Sequence, residues 1–204
     1  MTPSIPDSHT AEVLTPCADP AEAAEVVAAT RLWLERAVIG LNLCPFAKAV
    51  YVKQQIRYAV TAATSADELL AELRHELELL AAADPEVLET TLVIHPRAMT
   101  EFIEYHLFLK DADAAVRKLG LEGVVQIASF HPHYEFAGSA SGDIENYTNR
   151  SPLPMMHLLR EASIDRAVAA FPDAADIYQR NIQTLRRLGH EGWRRLCITE
   201  APEA

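Results

Sequence analysis

His131 and His133 flank Pro132 at the end of an apolar run, Tyr134 follows them, and Asn149-Arg150-Ser151-Pro152 leads into His157, Arg160 and Glu161. In an extended segment, side chains two apart point to the same side, so both imidazoles can reach one divalent ion of the zinc or iron class. His157 would be the third ligand or a proton carrier. Glu161, four residues on, shares its face if the segment is helical. Arg150 and Arg160, with Asn149 and Tyr134 beside them, would hold the carboxylate or phosphate of a small substrate. Cys44, set before Pro45, would be a nucleophile if an imidazole lowered its pKa.

Two enzymatic readings follow, a metal-dependent one and a Cys/His-dependent one, in the broad range of hydrolases and oxidoreductases. Each motif also has a structural reading. His-Pro-His shapes a turn, a lone cysteine packs as a small apolar residue, and the arginines tie a loop to Asp143, Glu145 or Glu161. Taken together, these describe a non-catalytic protein for small-ligand binding or assembly.

The elements that must position these residues can be read in order. Residues 1 to 18 have the composition of a mobile tail. Asp19-Pro20-Ala21-Glu22 reads as a capping box with proline at the first helical position, and Gly40 can end that helix. Ile56, Tyr58 and Val60 mark a first strand, and Ser65-Ala66-Asp67-Glu68 opens a helix with leucines at helical spacing. Thr90 to His95 reads as a second strand, a helix follows from about Met99 to Gly120, and Val124 to Phe130 is a third, buried strand. Met155, Leu158 and Leu159 fit a helix opening at Ser151 or Pro152, with further helices to residue 192 and a tail beyond.

Long crossovers between the strands predict an α/β domain, a small and mostly parallel sheet flanked by helices, with a helical C-terminal part. The alternative is an α+β ferredoxin-like fold with a strand near Tyr51 to Lys53. In an open parallel sheet, ligands bind beyond the strands' carboxyl ends, so His95, His131 and His133 are expected at one rim.

A chain of 204 residues suits one domain, and half of it is hydrophobic. A net charge of −11 argues against nucleic acid and anionic membranes, both of which call for clustered lysine and arginine. No apolar run reaches membrane-spanning length, which predicts a cytoplasmic protein with a small-molecule ligand, and self-association into a homo-oligomer is compatible with the sequence.

The segments Asn42-Leu43-Cys44-Pro45-Phe46-Ala47, Ala128-Ser129-Phe130-His131-Pro132-His133-Tyr134, and Asn149 to Pro154 with His157-Leu158-Leu159-Arg160-Glu161 resemble, in order, a bacterial family known as domain of unknown function 1415. The resemblance covers about residues 23 to 190. It implies one complete domain and assigns no activity.

Overall fold

The computed structural model describes residues 19–170 and 176–198; the expected N-terminal tail lies outside this range. The first helix, α1 (Pro20–Trp33), is capped by Asp19, whose carboxylate accepts from the Ala21 N–H at 2.9 Å. Glu22 does not close the cap and instead pairs with Arg97. The helix continues as a π-helix, Leu34–Ile39, and reaches Gly40, where a Cβ would lie 2.4 Å from the Arg36 carbonyl oxygen. Only glycine fits so close to backbone. Tyr51 and Val52 lie in a short helix, α2 (Ala47–Val52), not in a strand.

The expected strands are present as β1 (Ile56–Val60), β2 (Thr90–Ile94) and β3 (Val125–Phe130), joined by α3 (Ala66–Ala82) and α4 (Phe102–Lys118). Ser65 and Glu68 cap α3 reciprocally, the Ser65 Oγ accepting from the Glu68 N–H and the Glu68 carboxylate from the Thr64 N–H. The chain is therefore an α/β fold with a helical C-terminal part, ending in α5 (Glu161–Ala170) and α6 (Ile177–Arg195). Gly189, at φ 63° and ψ 174°, breaks α6, and Trp193 is buried in the core where the sequence suggested a tail.

The largest departure from expectation is the segment read as a helix with His157, Arg160 and Glu161 on it. Met155–Arg160 is a fourth strand, β4, and Glu161 opens α5. β4 runs antiparallel between β2 and β3, giving the order β1-β2-β4-β3. Three strands point the same way, yet only the β1–β2 pairing is parallel. Leucine and methionine at these positions satisfy helical spacing and a short buried strand equally, and the slot between β2 and β3 decides the outcome.

Alternation along the strands divides the core. Val93, Met156, Leu158 and Val125 pack against α3 and α4. Tyr58, Leu92, Ile94 and Met155 pack against α1, the π-helix and α6. Helices thus cover both faces, unlike a ferredoxin-like sheet, and no helix among the described residues is long and apolar enough to cross a membrane.

The α3 face also carries a buried ion pair. Arg57 on β1 reaches Glu76 on α3 through two bonds of 2.7 and 2.9 Å, and the Glu76 side chain is 1% exposed. Removing one partner of such a pair strands the other charge in the interior. Glu76→Leu is expected to cost about 3–5 kcal/mol in urea denaturation, whereas the double change Arg57→Leu with Glu76→Leu recovers most of it.

Candidate functional site

The rim formed by the carboxyl ends of β1, β2 and β3 gathers several aromatic and imidazole rings. His95 follows β2, His131 follows β3, and Tyr105 of α4 lies between them. Its ring is stacked 5.6 Å from that of His95 and 5.2 Å from that of His131. Phe102 packs on His131 at 5.5 Å and on Tyr134 at 5.2 Å, and the His133 ring is 5.9 Å from that of His131. The common rim expected of these histidines is therefore present.

The polar atoms of this cluster are largely committed. The Tyr105 hydroxyl donates to the Met155 carbonyl at 2.8 Å and accepts from the Phe130 N–H at 3.1 Å, bridging the paired ends of β3 and β4. His95 Nδ1–H donates to the Ala98 carbonyl at 2.8 Å, which leaves Nε2 bare, buried and without a partner. His131 Nε2–H donates to the Met99 carbonyl at 3.2 Å, while its Nδ1 accepts from the His133 N–H at 3.0 Å. Both nitrogens of His131 thus bind backbone, and only His133, exposed at the surface, keeps its ring outside such bonds.

The other sequence candidates are dispersed. His157 lies opposite Leu92 in the sheet register, on the face away from α4, and so does not converge with His131 and His133. Its Nε2 is 2.7 Å from the Thr90 hydroxyl, whose single proton goes to the Leu158 carbonyl at 2.6 Å. The imidazole is therefore the donor, and its Nδ1 is bare.

Arg160 and Glu161 mark the far end of β4, about 17 Å from the rim at the strand rise of ~3.4 Å per residue. The Arg160 guanidinium donates to the Leu80, Ala83 and Leu88 carbonyls at 2.6, 2.7 and 3.2 Å. It satisfies the C-terminal end of α3, which has no glycine cap. Cys44 is half-buried beside the α1 core, and burial raises its thiol pKa, opposite to the shift that a nucleophile needs. Among the described residues, no group of three or more His, Cys, Asp or Glu side chains is placed to hold a metal ion.

The loop from 131 to 154 is held by the motif that suggested an anion site. Asn149 Nδ2 donates to the Ser129 carbonyl at 3.0 Å, and the Asn149 carbonyl accepts from the His131 N–H at 3.2 Å. Arg150 stacks on Tyr147 at 4.3 Å and donates to the Ser141 and Tyr134 carbonyls at 2.6 and 3.4 Å. Asn146, missed from sequence, is fully buried, its Oδ1 accepting from the Phe136 N–H and its Nδ2 donating to the Ala140 carbonyl. An asparagine in a polar loop gives no sequence signal of burial.

Burial lowers His95, His131 and His157 each to about 4, so all three are neutral at pH 7. In the unfolded chain they titrate near 6.5, so below that pH the unfolded state binds more protons and stability falls as pH drops toward 4. His95, fully buried, would remove on the order of 3 kcal/mol over that window, and His131, nearer the surface loop, less than that. Urea denaturation at pH 7, 6, 5 and 4 is expected to show this loss, with a shallower pH slope in His131→Asn.

A family model described as Protein of unknown function (DUF1415) matches residues 25–195. No curated protein and no solved structure is detectably similar to the chain.

Proposed function

We propose, for a chain that belongs to the DUF1415 family of proteins of unknown function, a non-catalytic role in binding a small ligand, with the histidine and arginine motifs serving as fixings for the long rim loop. The observation that carries this reading is the state of His131, whose two ring nitrogens are both engaged by backbone groups. A metal or a substrate proton would have to displace one of those bonds, each worth about 0.5–1.5 kcal/mol. Proton-transfer groups work best with a pKa near the working pH, and the three interior imidazoles at about 4 are neutral hydrogen-bonding groups instead.

A catalytic reading attaches to His157, because its Nδ1 is bare and its side chain keeps some accessible surface. There it would act as a hydrogen-bond acceptor or weak base from the middle of the sheet. Thr90→Val removes the group that fixes its tautomer.

Metal and stability measurements test the non-catalytic reading of the rim. Protein purified without a histidine tag is expected to carry well under one equivalent of zinc, iron or manganese. Added zinc should leave the thermal midpoint of wild type and His133→Ala alike, and His131→Ala should lose about 2–4 kcal/mol of stability. Near-stoichiometric metal that disappears in His131→Ala or His133→Ala would overturn the non-catalytic reading.

A further inference from the structure

Among the described residues, large apolar side chains that stay exposed are scattered one to an element, as on most protein surfaces, except on α4. There Ile103 and Leu107, 69% and 55% exposed, stand one turn apart. The inner side of that helix is already committed, with Tyr105, Phe108, Ala112, Ala115 and Val116 buried in the core. At 3.6 residues per turn, Ile103 and Leu107 lie on the opposite side, and Lys110 and Ala114 continue their row. Steps of four, three and four residues are those of a coiled-coil seam. The helix thus carries one stripe for its own core and a second, outer one that faces solvent.

Two exposed apolar residues need no explanation by themselves. The charges around them point to an occupant. Glu101 and Glu104 stand at the amino end of α4 and Arg117 and Lys118 at its carboxyl end, all exposed, and none of the four is in a salt bridge among the described residues. The helix dipole favours that order of charges. It also makes the face self-complementary: against a second copy turned end for end, each acidic turn meets a basic one, whereas a parallel pair sets like against like.

The register that places Leu107 over Ala114 of the second copy fits a large residue to a small one twice across a two-fold axis. In that register the Lys118 stem lies along Ile103 of the second copy, and Glu104 comes within one residue of level with Lys118 of the second copy. Lys110 is the polar member of the stripe, a residue type that fixes register at a cost in strength. One pair of 17-residue helices falls at or below the ~1,200 Å² lower end of standard interfaces, so the contact is weak and concentration-dependent. Phe102 and Tyr105 of the histidine rim lie at the amino end of α4, so the two rims stand at opposite ends of the interface.

We propose that the outer face of α4 is a homodimer contact in which two copies of this chain pair the helix antiparallel across a two-fold axis. The contact is independent of the histidine rim and does not require the rim to be non-catalytic.

The test is sedimentation equilibrium of the full chain from about 10 μM to about 1 mM, the range of weak complexes, with circular dichroism and the thermal midpoint of each variant to check its folding. The expected result is a reversible equilibrium between monomer and dimer. Ile103→Glu and Leu107→Glu should each weaken it at least tenfold and keep the fold, because both side chains are exposed. Lys110→Leu should tighten it at least tenfold. Glu104→Lys and Lys118→Glu should each weaken it, and the two changes in one chain should recover most of the loss, since the pair re-forms with its charges exchanged. A chain that stays monomeric throughout, a dimer that survives Leu107→Glu, or a charge exchange that recovers nothing would overturn the proposal.

Discussion

The fold turns on one slot. β2 and β3 run in the same direction with a strand's width between them, and the interior backbone groups along both of their facing edges need partners. β4 fills that width antiparallel, so it supplies hydrogen bonds to both neighbours at once and must enter from the end where β3 leaves. The chain consequently has to reverse over the rim, through the loop from 131 to 154. A loop that long would be entropically expensive if left free. Asn149, Asn146, Arg150 and His131 bind it to carbonyls and N–H groups along its length. Tyr105 completes the arrangement, because its hydroxyl joins the last pair of β3 and β4 while its ring separates two imidazoles.

On the proposed reading, residues that look catalytic in one dimension act as connectors in three. An imidazole is the smallest side chain that presents a donor and an acceptor on opposite sides of a flat ring. His131 uses both to join two backbone segments that have no ladder between them. Neutrality is part of that role, since a protonated Nδ1 could not accept from the His133 N–H. Arg160 works similarly at the far end of β4, where one guanidinium serves three carbonyls around the end of α3.

Local chemistry made α1, α3, α4 and three of the strands legible. Asp19 and Ser65 cap as their types imply, and the β-branched stretches of β1, β2 and β3 lie where their patterns end. The meeting of His95 and His131 at one rim also followed, because strands that share a direction bring their carboxyl ends together. β4 was not legible, because Met155, Leu158 and Leu159 meet the helical template and nothing within the segment records that a slot awaits it. The different placement of His157, Arg160 and Glu161 follows from that single element.

The placement of β4 also has a meaning in time. Synthesis proceeds from the amino end, and the strand that occupies the middle of the sheet is the last of the four to be made. In a nascent chain that has emerged only through β3, β1 and β2 would have each other to pair with, but β3 would have no neighbour and the inner edge of β2 would be open. Such edges invite pairing with other chains until they are filled. Committed folding of this domain therefore waits for its C-terminal third to clear the ribosome, and α1 to α4 spend that interval arranged around a vacancy.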